Sequence, residues 1–313
     1  MSASYRGRLA PSPTGYMHLG VARTSLVAWL RARAVGGALV LRIEDIDAPR
    51  VVPGAAHAIL GELRWLGLDW DEGPDVGGPH APYTQLARLT LYTQAIEQLR
   101  ATGLVYACTC SRKEIAQIAS APHGDLGPLY PGTCRNAPSH SGRPAALRFR
   151  MPEPAPSFVD GLQGSYAAGV ADDFVLRRSD GVYAYQLAVV VDDLAMGITE
   201  VVRGDDLLSS TPRQIALYRA FGAREPAFFH VPLVLDADGR RMSKRFGSMS
   251  VTQCRQAGAT PEQVIGVLAH TLGLAAPHET LTAAQLVTRF DPSKLPTSAT
   301  QLDTAQLFLQ AQT

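Results

Sequence analysis

Lysine is nearly absent. Of the 29 lysines and arginines in the chain, only Lys113, Lys244 and Lys294 are lysines, and all the others are arginines. A planar guanidinium is a poor substitute where three rotatable donors must follow a moving anion, so a lysine retained in such a sequence is a candidate for chemistry. Excess charge is absent too, because those 29 basic residues face 28 acidic ones for a formal net charge of +1. That balance excludes blanket attraction to nucleic acid, and any RNA partner must be held by a local basic face. Long apolar runs are lacking. The most apolar stretch, Val182 to Val191, stops at Asp192-Asp193, well short of the roughly 20 residues that a bilayer span requires. No basic-then-apolar leader opens the sequence, so a cytoplasmic chain with no membrane contact is expected. Cysteine is scarce at four residues, and in a cytosolic setting a disulfide framework is disfavoured. What remains, 46% hydrophobic and 18% charged, is the composition of an ordinary globular chain able to bury a core for two or three domains.

The most informative stretch runs from Arg8 to Gly20, RLAPSPTGYMHLG. It begins as a short strand and breaks at Pro11 and Pro13, which fix φ and remove backbone donors. Gly15 and Gly20 permit close backbone approach, and the run from Val21 to Val35 has helical character. A strand, a tight loop and a helix in that order place free backbone amides where a phosphate can sit, and His18 adds a side-chain donor. A second cluster, Arg240-Arg241-Met242-Ser243-Lys244-Arg245-Phe246-Gly247, follows the turn-forming Asp236-Ala237-Asp238-Gly239 far downstream.

Between these clusters the chain alternates between strand and helix patterns. Leu26, Val27, Leu30 and Ala34 form a helical stripe. The strand Ala38–Leu41 follows a Gly36-Gly37 stop and delivers Arg42-Ile43-Glu44-Asp45-Ile46-Asp47 to its carboxyl end, where open α/β sheets bind ligands. Helices are expected over Ala55–Leu66 and Leu86–Leu99. The period-two segment Ala146–Arg150 reads as a strand, and Phe174–Arg177 with Val182–Tyr185 reads as a hairpin around Ser179-Asp180-Gly181. Parallel α/β structure resumes with Gln186–Leu194, the strand Ile198–Val202 and Arg203-Gly204-Asp205-Asp206, after which Thr211-Pro212 starts a helix. Pro261–Leu272, Leu281–Arg289 and Leu302–Leu309 read as tail helices.

Three of the four cysteines bracket one segment, Cys108 and Cys110 at its start and Cys134 in Tyr130-Pro131-Gly132-Thr133-Cys134. Clustered thiols in a reducing compartment point to metal, and zinc asks for four ligands. Tyr130, His123 and His140 are the candidates for the fourth. Ser111-x-x-Glu114 has the form of a capping box, starting a helix at Arg112 to Ile118. Cys254 stands alone and reads as a buried structural residue.

The two distant clusters together resemble the paired signatures of class I aminoacyl-tRNA synthetases. The first is present as His18-Leu19-Gly20-Val21 without its second His, which the glutamyl branch commonly lacks. Arg42–Asp47, Tyr185-Gln186-Leu187-Ala188, Asp192-Asp193 and Arg203–Leu207 resemble that branch in the same order, so the likeness extends from Arg8 to about Val251. It implies an α/β, Rossmann-like class I catalytic domain in two halves, residues 1–104 and 173–251, with a zinc-bearing acceptor-type insertion at 105–172. Residues 252–313 would be a short helical tail. About seventy residues follow Lys244, too few for an anticodon-binding domain of typical size, which is the pattern of the truncated relatives within the branch.

The resemblance implies ATP-dependent activation of L-glutamate to glutamyl-adenylate. His18 and Lys244 would be catalytic, with Gly20 beside them at the ATP. Arg8, Ser12, Glu44, Tyr185 and Arg203 would hold glutamate, Glu44 taking the α-ammonium group. One structural zinc would be bound by Cys108, Cys110, Tyr130 and Cys134, and Mg²⁺ would accompany the ATP. The truncated relatives pass glutamate to queuosine in tRNA(Asp), so a tRNA(Asp) carrying queuosine is the expected partner of a monomeric enzyme, with Arg112, Arg148 and Arg150 as candidates for its phosphates. One position departs from the charging enzymes, which typically carry Asn where this chain has Val189.

Overall fold

β1 (Arg6–Leu9) and β2 (Ala38–Leu41) pair in parallel, and α1 (Leu19–Ala34) crosses between them. Both strands are almost wholly buried; β2 is accordingly a short apolar run rather than an alternating one, whereas β1 carries Arg6 and Arg8 into the sheet. β8 (Glu200–Gly204) and β9 (Ala227–Val231) form a second parallel pair. A backbone bond from Thr199 N to Arg6 O (2.9 Å) ties the first pair to the second. The computed structural model describes residues 4–111, 113–115, 129–167, 169, 172–236, 238–239, 242, 249–302 and 304.

Two helices follow β2, α2 (Ala55–Trp65) and α3 (Leu89–Ala101). The expected start of the second at Leu86 is instead a 3₁₀ turn, Gln85–Arg88, leading into it. The segment between the parallel pairs builds its own antiparallel sheet from β3 (Val105–Cys108), β4 (Ala146–Phe149) and β7 (Phe174–Arg177). A hairpin, β5 (Phe158–Asp160) with β6 (Gly164–Tyr166), extends from that segment, and Gly161 N donates to Phe228 O at the start of β9.

The hairpin expected after Phe174 is formed but short: Arg178 N donates to Val182 O and Ala184 N to Leu176 O, with one antiparallel bridge between Arg177 and Tyr183. Tyr185 then opens α4 (Tyr185–Ala195). Three consecutive valines favour a strand locally, yet helix packing overrides propensity because Leu187 to Val190 are buried on every side. α5 (Thr211–Ala220) begins one residue earlier than expected, with Ser210 at the N-cap position making no side-chain capping bond, and the Thr211 hydroxyl is engaged by Arg203 at 2.8 Å.

After β10 (Val234–Leu235) the described chain continues with α6 (Val251–Gln256), α7 (Pro261–Thr271) and α8 (Ala283–Val287). α6, α7 and α8 each begin at a reciprocal capping box, on Ser250, Thr260 and Thr282. β11 (Thr300–Gln301) returns to pair with β10, and the helix expected at Leu302–Leu309 lies outside the described residues beyond Leu302 and Thr304.

Two apolar clusters fill the interior. One joins α1, β2 and α2 to α6–α8; the other lies between α3, α4, α5 and the antiparallel sheet. Arg23 is fully buried at the α1–α7 contact. It donates from Nη1 to Pro232 O (2.7 Å), from Nε to Thr271 Oγ1 (2.9 Å) and from Nη2 to Thr271 O (3.2 Å).

Candidate active site at the carboxyl ends of the parallel strands

β1, β2 and β8 end on one side of the sheet, as the topology of a parallel α/β layer requires. The segments that leave them are stitched together, with Arg42 N donating to Leu9 O (2.8 Å) and Glu44 N to Pro11 O (3.0 Å). A cavity of about 760 Å³ opens there, and Arg8, Ser12, His18, Gly20, Glu44, Tyr185 and Arg203 all line it. The structure thus brings together seven expected site residues drawn from four separate stretches of sequence. Lys244 lies outside the described residues, while Met242, two positions before it, lines the same cavity.

Among the charged residues lining the cavity, three are buried: Arg8, Arg203 and Glu44. Their formal charges, two positive and one negative, leave a net positive site facing the space. Arg8 donates from Nη1 to Val202 O (2.8 Å), with Asp193 3.7 Å from its Nε. Burial drives the Arg203 guanidinium below its usual range, and Arg8 adds to that by repulsion. Two cations held near each other in a low-dielectric pocket favour an anion between them. Glu44 accepts from Arg42 at 3.0 Å. Burial raises the Glu44 carboxyl above the ordinary carboxylate range despite the pull of Arg42 and Arg8. Burial likewise raises the Tyr185 phenol, on which Arg203 and Glu44 both act, so it stays protonated as a donor.

Sequence reasoning did not find what supports Glu44. Arg42 is fully buried, its Nη1 2.8 Å from Asp193 Oδ1 and its Nε 3.6 Å from Asp192 Oδ2. Asp192 is in turn held by Arg88 (2.6 Å), Gln85 (2.9 Å) and Tyr92 (2.9 Å). The pair Asp192-Asp193 is visible in the sequence as the end of an apolar run, but nothing local shows that both are buried. Val189, the departure from the charging enzymes, packs in the second apolar cluster and is not among the residues that line the cavity.

His18 is the N-cap of α1, its Nδ1 accepting from Val21 N at 3.3 Å. With Nδ1 acting as acceptor, the neutral ring carries its proton on Nε2, a donor beside the amides of the first turn. Gly20 allows this pose, since a Cβ there would stand 3.1 Å from His18 Nδ1 and 3.2 Å from Cε1. The segment that follows the second cluster meets the first at this point. His18 forms an antiparallel bridge with Ser250, Leu19 N donates to Met249 O, and Val251 N donates to Met17 O.

Glu62 fastens the same junction from α2. It is buried and accepts from Met17 N (2.8 Å), Thr252 N (3.0 Å) and Thr252 Oγ1 (2.7 Å). Unmade hydrogen bonds of buried donors cost about 1–3 kcal/mol each. Glu62→Ala is therefore expected to lower stability by on the order of 3 kcal/mol, read from urea unfolding. An unchanged midpoint would show that the stranded donors are rehydrated and that Glu62 is dispensable.

The cysteine cluster sits at the end of β3, whose last residue is Cys108. The sulphurs of Cys108, Cys110 and Cys134 all lie within 4.8 Å of one another, with 3.5 Å between Cys110 and Cys134. Tetrahedral zinc with Zn–S bonds of about 2.3 Å sets its sulphurs roughly 3.8 Å apart, so the donor set fits that ion. Tyr130 Oη is 3.4 Å from Cys108 Sγ and accepts from Cys134 N at 2.7 Å; burial and the Cys108 contact outweigh that donor and hold the phenol well above its ordinary range. His140 is turned toward Glu114, with Nε2 3.1 Å from its carboxylate, and His123 lies outside the described residues. Burial raises the Cys134 thiol, but hydrogen bonds from Ser139 and the backbone outweigh it and bring it down to about 5, and thiolate is the form that binds metal.

The arginines expected to hold RNA phosphates fare differently. Arg148 is buried over the Tyr130 ring, 3.7 Å from its centroid, and donates to Asp173 O. It is an internal strut of the cysteine-bearing lobe, contrary to expectation, because a guanidinium can stack on an aromatic face as it pairs with a carbonyl. Arg150 donates to Arg135 O and lies over Tyr106. Arg112 is outside the described residues, as is the helix beyond Ile115, although the Ser111–Glu114 capping box itself is formed.

Among the described residues no helix is long and apolar enough to cross a membrane. A family model described as tRNA synthetases class I (E and Q), catalytic domain, matches residues 4–308. A protein of Symbiobacterium thermophilum named glutamyl-Q tRNA(Asp) synthetase is 51% identical over 301 residues, covering 93% of this chain and 93% of that protein. The glutamate–tRNA ligase of an Anaeromyxobacter species is 47% identical over 290 residues, covering 91% of this chain but 62% of the ligase. The crystal structure of a glutamate tRNA ligase from Elizabethkingia meningosepticum in complex with its amino acid superposes with a TM-score of 0.83 at 30% identity, covering 97% of this chain and 68% of that one.

Proposed function

The chain belongs to the class I tRNA synthetases (E and Q), and from that premise we propose that it is a ligase that activates L-glutamate with ATP and transfers it to queuosine in the anticodon of tRNA(Asp). One observation carries the first half. Glutamate has two carboxylates and one ammonium, and the cavity sets two buried guanidiniums, Arg8 and Arg203, against one buried carboxylate, Glu44. Each guanidinium suits one carboxylate, Glu44 receives the α-ammonium, and Ser12 and Tyr185 add neutral contacts.

In the first step a carboxylate oxygen of glutamate attacks the α-phosphorus of ATP in line, the bond from the α-phosphorus to the α,β-bridging oxygen breaks, and pyrophosphate leaves. The protein positions the reactants and stabilises charge. His18 and the amides around Gly20 face the phosphates at the start of α1, and Lys244 supplies the mobile cation that an arginine-rich sequence retained. Mg²⁺ would travel with the ATP and partly neutralise its charge.

In the second step a hydroxyl of queuosine attacks the activated carbonyl carbon and AMP departs. The cyclopentenediol of queuosine presents vicinal hydroxyls like those of a terminal ribose, so a site shaped for a tRNA 3′ end suits an anticodon loop. Unpaired loop bases are the usual targets of specific RNA readers. The near-complete mutual coverage with the glutamyl-Q relative supports this destination. The experiment is to incubate the protein with labelled glutamate, ATP and total tRNA. Label is expected to stay on tRNA(Asp) after its CCA end is removed and to be missing from tRNA lacking queuosine. Label that leaves with the CCA end would instead favour the second reading, 3′-end charging as in the named ligases, which 47% identity to one of them supports.

For the cysteine cluster we propose one structural zinc held by Cys108, Cys110, Cys134 and Tyr130. Bound zinc would supply a cross-link between the two ends of the segment. Cys108→Ser and Cys134→Ser are expected to lose the ion, measured by metal analysis of purified protein, with proteolysis increasing in the cysteine-bearing lobe. Purified wild-type protein without zinc would end this assignment. A cytoplasmic monomer completes the proposal.

A further inference from the structure

Arg203 is buried, and the way it is held is unusual. Its Nη1 donates to Gln214 Oε1 (2.7 Å), its Nη2 to Thr211 Oγ1 (2.8 Å), and its Nε to His230 Nε2 (3.0 Å). All three acceptors are uncharged in this arrangement, and among the described residues no carboxylate lies within ion-pair distance of Arg203. On the other side of the ring, His230 Nδ1 is 2.5 Å from Asp160 Oδ2. Asp160 Oδ1 is occupied by the backbone N–H groups of Leu162 (2.9 Å), Gln163 (2.9 Å) and His230 (3.1 Å).

The protonation state follows from these distances. An arginine Nε can only donate, so His230 Nε2 must accept, and the single ring proton lies on Nδ1 and points at Asp160. The ring is therefore neutral. Its burial between Phe158 and Phe228 acts in the same direction. A carboxylate placed directly on Arg203 would hold it equally well but would cancel its charge. An imidazole polarised by a carboxylate one step away anchors the guanidinium and leaves that charge for a ligand.

We propose that Asp160 and His230 are positioning residues that fix Arg203 for the carboxylate of the amino-acid substrate, so that the β5–β6 hairpin sets amino-acid affinity from within the inserted segment. The proposal rests on the reading of Arg203 as a substrate contact. Its logic parallels the way a carboxylate fixes the tautomer of a catalytic or metal-binding histidine, here applied to a binding arginine.

Asp160→Asn tests it. The amide keeps an acceptor for the three backbone N–H groups but turns a donor toward Nδ1, which forces the ring proton onto Nε2 against Arg203 Nε–H. In ATP–pyrophosphate exchange the KM for glutamate is expected to rise roughly thirtyfold while the KM for ATP changes less than about twofold. His230→Gln, which retains an acceptor, is expected to keep a lower glutamate KM than His230→Leu. An unchanged glutamate KM in folded Asp160→Asn, or a parallel rise in both KM values, would overturn the inference. If Asp160→Asn does not fold, equal glutamate KM values for the two His230 variants would overturn it. Arg203→Ala separates the two levels. If it raises the glutamate KM and Asp160→Asn does not, the relay fails alone, and if Arg203→Ala leaves that KM unchanged, the substrate reading fails and takes the relay with it.

Discussion

Glutamate-dependent exchange of pyrophosphate into ATP is expected to fall about a thousandfold in kcat/KM for glutamate when Arg203 is replaced by alanine, equivalent to about 4 kcal/mol. The size follows from where the group sits. A rim arginine in water would contribute about 1 kcal/mol or less, whereas Arg203 is 4% exposed and bonded only to uncharged acceptors. Its charge is thus available in full to a carboxylate entering the cavity. The loss should fall on glutamate, with the KM for ATP little changed. Arg203→Lys is expected to lie between, since it keeps the charge and loses the planar fork that also reaches His230 and Gln214. A loss below tenfold in folded Arg203→Ala would mean that another group carries the substrate carboxylate.

Gly266→Ala is expected to cost on the order of 3 kcal/mol of stability or more, measured by urea unfolding. Gly266 lies in the middle of α7, where a Cβ would come within 1.8 Å of Glu279 O and 3.0 Å of Glu279 C. Those atoms are backbone, so no side chain can swing aside, and the crossing segment is tied to α7 by Leu281 N donating to Glu262 O. Helix propensity pulls the other way, since alanine is better than glycine by about 1 kcal/mol in a helix interior, but the clash is larger. Gly61 in α2 provides the contrast. A Cβ there meets nothing within 4 Å, so Gly61→Ala is expected to stabilise by about 0.5–1 kcal/mol. Equal effects at the two glycines would mean that the crossing segment yields.

How much of this was readable without coordinates depends on how far apart the cooperating residues lie. The His18 loop was legible because a short strand, two prolines and two glycines follow one another within about a dozen residues. Glu44 was legible as a charge at a strand end, and the cysteines as a cluster with metal-binding chemistry. The groups that hold them were not. Asp192 meets Tyr92, Arg88 and Gln85 across separations of 100, 104 and 107 residues, and Asp160 meets His230 across 70. No local pattern marks such partners, because a buried aspartate and a solvated one are spelled the same way. Glu62 illustrates the point: it falls on an amphipathic helix, where a glutamate ordinarily reads as surface. The Val182–Tyr185 reading falls short for a different reason. Tyr185 opens α4, so only the residues before it pair back toward β7, through the Arg177–Tyr183 bridge and the bond from Ala184 N to Leu176 O.

Arg23 has a bearing on how this protein can be cut and recombined. Its guanidinium leaves the first signature helix and ends on Pro232 and Thr271, so the fold's first and last thirds share one buried cation. A fragment stopped soon after the second signature would strand that cation among apolar side chains, together with the face of α1 that Leu268 and Leu272 cover. The helices after Val251 are therefore part of the catalytic body rather than cargo, and a chimera that grafts a new RNA-binding module onto this chain has its seam beyond them.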